Sequence, residues 1–514
     1  MAERLAEVGR FGSETLAERV RRHAVERPDA FAFVGDGQRL TWSDVDELAD
    51  RLAAGLVAAG AERGDRIAIL FPDGPVVHAL YLATERAGVV AVGVPARAGD
   101  QEVQHLVGLT GSTVLVTAPE HAGRDTATLA VQLGFPAGRH LVVDPDRPGA
   151  VRLGAVPWEG GPRVSADRAL GLGDLFVLNS TSGTTGMPKC VAHHQNRLLY
   201  YYTQATLAGD LTEDDVILSV VPTPYGFGLW SAHATPILLG ATAVRMRRFD
   251  AAAAMRLIAA ERATVLAAVT TQFVMMLNAD PGVTVDARSL RCMFTGGEAI
   301  PYRRGLEFEE RTGAALLQFY GSNETGMLSC TTVRDDQETR LTSAGRVVPD
   351  MRVRLSEGVD GGRSSCRGPA ASLGYYADPR ANAELFDADG WMLTGDRCTI
   401  DAQDRLRVVG RVSDFIIRGG KNISALAVEE RVGEHPAVEM VAAIGVPDEV
   451  FGERVCAVIE LRPGAELSLP DLCAFLAHRG VSKETWPERL EIVDEMPCSA
   501  GGKIAKAELR RRWA

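Results

Sequence analysis

At 514 residues the chain exceeds what one ordinary hydrophobic core supports, so a large domain followed by a smaller one is expected. Hydrophobic residues make up 46% and charged residues 24%, a globular mixture that excludes a disordered chain. A formal charge of −12 excludes a nucleic-acid surface, which needs a basic face to replace counterions, and leaves any anionic ligand to local donors.

The eight cysteines form no CxxC pair, which reads as reduced thiols in the cytoplasm rather than a disulfide frame or a zinc site. Alternating charges at Glu3, Arg4, Glu7 and Arg10 are unlike a secretory signal, and no apolar run reaches the length of a membrane span.

In chain order, the apolar spacing over Leu16–Arg22 predicts an amphipathic helix with Ser13 as its N-cap. Short apolar runs follow at Ile67–Phe71, Val89–Val94, Val114–Val116, Leu141–Val143, Leu175–Leu178, Val216–Val221, Val265–Val269 and Cys292–Thr295. Helix-sized segments separate them, so the pattern predicts βαβ units and an α/β fold with largely parallel sheets. Glu357–Gly368 is rich in Gly and Ser and reads as a loop. Past Gly410 the character changes: Val438–Val446 and Val455–Leu461 read as strands and Leu469–Ala477 as a helix. The expected division is a large N-terminal domain, 1–411, and a smaller mobile α+β domain, 412–514.

The strongest local signal is Thr181-Ser182-Gly183-Thr184-Thr185-Gly186-Met187-Pro188-Lys189, directly after an apolar run. A strand running into such a loop offers backbone N–H groups and hydroxyls to phosphate oxygens, and the lysine adds charge. Glycines let the backbone approach the ligand closely. No GxxxxGK[ST] occurs, so this is not the Walker arrangement.

On this loop and on stations that follow in order, the chain resembles the adenylate-forming superfamily. That group includes acyl-CoA synthetases, aryl-CoA ligases, luciferases and peptide-synthetase adenylation domains. Gly296-Gly297-Glu298-Ala299 resembles its adenine-side turn, and Tyr320-Gly321-Ser322-Asn323-Glu324 its YGxTE station. Thr394-Gly395-Asp396 resembles the ribose station, Gly410-Arg411-Val412-Ser413-Asp414 the hinge, and Gly419-Gly420-Lys421-Asn422 the segment after it. Gly502-Lys503-Ile504 stands where the family keeps a C-terminal catalytic lysine.

The resemblance implies ATP, Mg²⁺ and coenzyme A. Lys503, Glu324 and Lys189 would be catalytic, with Glu324 also holding the metal, as suits a hard cation. Nucleotide and CoA contacts would come from Thr181–Gly186, Gly296, Gly297, Glu298, Tyr320, Gly321, Asn323, Asp396, Arg411, Gly419 and Gly420. Tyr320 offers a face for adenine, and Asp396 can accept both ribose hydroxyls. Lys503 would place positive charge on the reacting oxygens.

Departures from the pattern are Cys190 in place of a glycine, Asn323 in place of a threonine, and Ser413 at the hinge position. The Cys190 change is tolerable if that position already lies on the next strand.

For the acid, Pro222–Trp230 carries no carboxylate to grip a substrate amine, and a buried unpaired ammonium is costly, so an α-amino acid is not the expected substrate. Tyr225-Gly226-Phe227-Gly228-Leu229 is most similar to benzoate-type ligases. Gly226 and Gly228 are read as leaving space beside Tyr225 and Phe227 for a flat or bulky cyclic acid, with Met327 as apolar wall. The expected reaction is ATP-dependent ligation of such an acid to CoA. A carrier protein loaded in trans is the alternative acceptor.

Overall fold

The computed structural model describes residues 12–181, 187–279, 286–298, 300–357, 361–418, 421–499 and 502–513. Every strand expected from the apolar runs is present, to within a few residues at either end.

Two large sheets dominate. An eight-stranded sheet has Arg66–Leu70 at its centre, flanked in parallel by Val90–Val94 and Val114–Thr117. One edge of it is Leu175–Ser180 followed by antiparallel Cys190–His194. A nine-stranded sheet runs parallel through Thr242–Val244, Val216–Ser219, Val265–Ala267, Cys292–Gly296 and Ala315–Ser322, then turns back antiparallel into Gly326–Cys330.

Successive side chains on a strand point to opposite faces. Accordingly Ile67 and Ile69 join the core between the sheets, while Ala68 and Leu70 join a core on the outer face. Ile217 and Val265 face inward in the same way, and Leu218 and Leu266 outward. Both faces are covered, which is why these strands are continuous apolar runs. Helix Pro75–Arg86 lies in the inner layer and is buried at all twelve positions.

A four-stranded antiparallel sheet follows: Arg352–Leu355, Gly362–Arg367, Met392–Ile400 and Leu406–Arg411. After the turn Val412–Asp414 the chain enters a last sheet of five strands, built on the Val438–Asp448 and Gly452–Leu461 hairpin with its own core.

Two local expectations are corrected. The first helix spans Leu16–Glu26, and its cap is Thr15, whose side chain and Glu18 form a reciprocal capping box; Ser13 lies before the cap. Within 357–368, read as loop, Gly362–Arg367 is a strand paired on both sides, with Ser364 and Cys366 buried. Small residues are kept there because neighbouring backbone comes close: a methyl group on Gly362 would lie 2.1 Å from the Ser356 carbonyl.

Candidate active site

The strand ends and turns carrying the sequence stations converge on a cleft of about 2300 Å³, lined by the large sheets and by the C-terminal sheet. Thr181 follows strand Leu175–Ser180, and Lys189 precedes strand Cys190–His194. The Lys189 N–H donates to Thr181 Oγ1 at 3.1 Å, and the Thr181 N–H to the Lys189 carbonyl at 2.8 Å, so both ends of the loop are clamped. Ser182, Gly183, Thr184, Thr185 and Gly186 lie outside the described residues, as do Gly419 and Gly420. Cys190 is buried on the strand opposite Ser180, so that position does not need a glycine.

Glu324 follows strand Ala315–Ser322 and lines the cleft with Tyr320, Gly321 and Asn323. Its Oε1 accepts from the Tyr375 hydroxyl at 2.8 Å, and the Lys189 ammonium sits 4.7 Å from the centre of the Tyr375 ring. Tyr375 therefore joins Lys189 to the Glu324 carboxylate. Among the described residues no three metal-ligating side chains cluster. A divalent cation here would rest on Glu324 and on the oxygens of a bound polyphosphate, a donor set that fits Mg²⁺.

Asp396 and Arg411 face each other across neighbouring strands, with Arg411 Nε 3.4 Å from Asp396 Oδ1. Asp396 Oδ2 accepts from the Tyr320 hydroxyl at 2.7 Å. Burial raises the Asp396 carboxyl above its usual range, opposed by Arg411 and the Tyr320 hydrogen bond.

Lys503 reaches this site from the far end of the chain. It lines the cleft, and a methyl group on Gly297 would come within 2.6 Å of its Nζ. Gly297 has φ +84°, in the left-handed region, so the turn favours a glycine there, which leaves the Lys503 ammonium free to lie against it. Glu298 lines the cleft, and its carboxylate accepts from the Ile504 N–H at 3.1 Å and from the Thr271 hydroxyl at 3.2 Å. Loss of hydration lowers the Lys503 pKa, while the Glu298, Glu324 and Asp396 carboxylates pull it back up.

The acid segment begins with Tyr225, Gly226 and Phe227 on the cleft and continues as a turn of π-helix over Leu229–Ala234. Phe227, Trp230 and Phe319 form an aromatic wall with centroid separations of 4.7, 5.5 and 5.6 Å. Met327 lines the same cleft. The expectation that Gly226 and Gly228 leave room for substrate is corrected at Gly228. A methyl on Gly226 would meet Asn323 Oδ1 at 2.0 Å, and one on Gly228 the Pro222 carbonyl at 1.9 Å. Backbone fills the space at Gly228, which does not line the cleft, whereas Gly226 does line it.

Sequence reasoning missed Tyr375, Asn179, His193, Arg197 and Trp230, all on the cleft. Trp230 closes the segment Pro222–Trp230; the other four belong to no local motif that carries chemistry. Each acquires its place through contacts with distant chain segments.

With this geometry in hand, the comparisons are direct. The model of the AMP-binding enzymes matches residues 20–376, and that of the AMP-binding enzyme C-terminal domain matches 427–503. The chain belongs to the AMP-binding, adenylate-forming enzymes and is an ATP-dependent ligase of the acyl-CoA synthetase kind.

Among relatives it is 32% identical to a feruloyl-CoA synthase of Amycolatopsis sp, covering 96% of this chain and 98% of the relative. It is 31% identical to the salicyl-AMP ligase / salicyl-S-ArCP synthetase of Mycobacterium tuberculosis, covering 98% and 91%. Among solved structures it superposes on ATP-bound MatB from Rhodopseudomonas palustris with a TM-score of 0.83, at 26% identity, covering 97% of this chain and 99% of that one. No helix among the described residues is long and apolar enough to cross a membrane.

Proposed function

We propose that this protein activates an aryl or bulky cyclic carboxylic acid with ATP and transfers the acyl group to the thiol of coenzyme A in the cytoplasm. The observation that carries the reading is Lys503 held against Gly297 amid the Glu298, Glu324 and Asp396 carboxylates.

In the first half-reaction a substrate carboxylate oxygen attacks the α-phosphorus of ATP and pyrophosphate leaves. Thr181–Lys189 orients the phosphates, and Asp396 with Arg411 holds the ribose. Lys503 offsets the negative charge that develops on the reacting oxygens. Mg²⁺, resting on Glu324, would supply charge neutralisation at the phosphates. In the second half-reaction the CoA sulfur attacks the acyl carbon and AMP leaves.

The two steps need the site remade between them, and a pivot separating units 1–411 and 412–514 would do this. Arg411 pairs with Asp396 in one unit, whereas Asp414 accepts from Arg510 at 3.0 Å in the other. This supports a pivot at Val412-Ser413, between the two anchored residues. The aromatic wall and the aryl acids named for two relatives support the substrate class.

A second reading, in which a carrier protein is loaded in trans, is favoured by Ile417, 56% exposed on the C-terminal sheet, and Val450, 78% exposed in the hairpin turn of that sheet.

The test is pyrophosphate release and thioester formation over a panel of aryl, polycyclic, fatty and amino acids, with CoA or a pantetheinylated carrier as acceptor. Lys503→Ala is expected to abolish adenylation while a supplied acyl-adenylate is still converted to thioester. Equal loss of both half-reactions would overturn the two-step assignment, and activation of straight-chain fatty acids alone would overturn the substrate class.

A further inference from the structure

Helix Asp100–Thr110 reaches the phosphate loop from outside the cleft. Val103, Leu106, Val107 and Thr110 form its buried face at helical spacing. The first three pack in one core with Leu178, Cys190 and Ala192, from the two strands that enter and leave the loop. His105 flanks that face and is half-buried. Its Nε2 lies 3.0 Å from the Pro188 carbonyl. A carbonyl oxygen only accepts, so Nε2 carries the proton and donates.

The bond falls on the peptide that leads into Lys189. The Pro188 carbonyl and the Lys189 N–H belong to one planar unit. Its carbonyl accepts from His105, and its N–H donates to Thr181 Oγ1 at 3.1 Å. The pyrrolidine ring fixes φ at Pro188, so the tilt of this plane is the main freedom left just before Lys189. Two side-chain bonds, one to each polar atom, remove it. Beyond the plane the chain is already tied to its neighbour: the Lys189 carbonyl accepts from the Thr181 N–H at 2.8 Å, and Cys190 pairs with Ser180. The direction in which the Lys189 side chain leaves the backbone is therefore set. Its ammonium lies 4.7 Å from the centre of the Tyr375 ring, whose hydroxyl donates to Glu324.

Thr181, Lys189, Tyr375 and Glu324 line the cleft, whereas His105 and Pro188 do not. His105 therefore acts on a ligand only through the backbone of Lys189. The Pro188 residue is buried, and a buried carbonyl stripped of its donor is destabilised, so without His105 the plane would tilt toward another partner and carry the lysine with it.

We propose that His105 is a positioning residue for the first half-reaction, holding the Pro188–Lys189 peptide so that the Lys189 ammonium meets the nucleotide phosphates. This rests on the ligase reading above and adds to it a residue outside the cleft.

The experiment is calorimetric titration of the intact protein with MgATP, alongside KM for the acid in pyrophosphate exchange. His105→Phe keeps a ring and removes the donor, and His105→Leu serves the same purpose if the phenylalanine variant does not fold. His105→Gln keeps a side-chain N–H at comparable reach. His105→Phe is expected to weaken MgATP binding by about 10-fold with KM for the acid unchanged, and His105→Gln to recover most of that loss. In a Lys189→Ala background His105→Phe is expected to have no further effect, because the two residues act as one unit.

Wild-type affinity for MgATP in a variant shown folded by thermal melting would overturn the inference. So would independent effects of the two substitutions, or an equal weakening of MgATP and acid that His105→Gln does not relieve, which marks general loss of structure. Failure of the unaltered protein to bind MgATP would overturn the ligase reading itself, and is seen before any variant is made.

Discussion

A lysine ammonium stripped of water and still required to be charged depends on nearby carboxylates, and at Lys503 the dependence has a readable sign. Desolvation is the largest influence and lowers its pKa, and Glu298 is the largest opposing one. A lowered pKa means the proton leaves at a pH below the usual lysine range. In the proposed mechanism adenylation needs the charged form, so its rate should fall on the alkaline side, earlier than for an exposed lysine. Glu298→Gln removes a carboxylate that favours the ammonium, and this alkaline limb should then move to still lower pH in a pyrophosphate-exchange profile. An unmoved limb would mean that Glu298 does not act on Lys503.

At the same scale, the Tyr375 hydroxyl orients Glu324. Outer partners of a metal-binding carboxylate tune its affinity, so Tyr375→Phe should raise the Mg²⁺ concentration needed for half-maximal rate by about 10-fold. Titration of activity against Mg²⁺ checks this, and an unchanged midpoint would remove Glu324 or Tyr375 from the metal site. The Gly/Thr loop, the carboxylate and the lysine were legible because their residue types and spacing are set by phosphate chemistry. Tyr375 and Arg197 were not, because a tyrosine or arginine has a role only once its partner is known.

The acid segment takes its shape from an element outside it. Arg245, 1% exposed, donates to Asp73 (3.0 Å), to the Thr223 hydroxyl (2.9 Å) and to the carbonyls of Ser219 and Val221. Asp73 also accepts from the Thr223 N–H at 3.0 Å. One buried ion pair thus pins the backbone just before Tyr225. Removing one partner of such a pair strands the other, so Arg245→Met should cost about 3 kcal/mol in urea unfolding. The same variant should raise KM for the acid more than for ATP. Equal effects on both would mean that the clamp stabilises the fold without shaping the acid pocket.

Strand Gly362–Arg367 shows the limit of composition at this scale. Its Gly and Ser content reads as loop, yet pairing on both sides satisfies its backbone, and close neighbours leave room only for small side chains.

Across the whole molecule the C-terminal sheet is held against the large unit through Glu439 on strand Val438–Asp448. This carboxylate is 8% exposed, accepts from Asn278, and lies 3.5 Å from Arg304 and 3.6 Å from Arg462. Asn278 ends the helix whose Thr271 bonds Glu298, so the contact and the Lys503 site share one element. The observed orientation is the one that presents Lys503. Glu439→Ala should disfavour it and slow adenylation by about 10-fold, with conversion of a supplied acyl-adenylate retained. Single-turnover assays of the two half-reactions separate this from plain destabilisation, which would lower both.

The amino-acid sequence by itself determined the layered α/β architecture, because strands covered on both faces must be apolar throughout and helices must separate parallel strands. It also determined the class of chemistry, since phosphate binding constrains residue type at fixed spacing along a few residues of chain. The tertiary structure alone decided which distant groups meet: Lys503 with Gly297, Glu298 with Ile504, Tyr375 with Glu324, and Arg197 with His193. It decided as well that Gly228, beside Phe227, accommodates neighbouring backbone rather than substrate. Close approach and hydrogen bonding between remote segments depend on packing in three dimensions, and no local spacing encodes them.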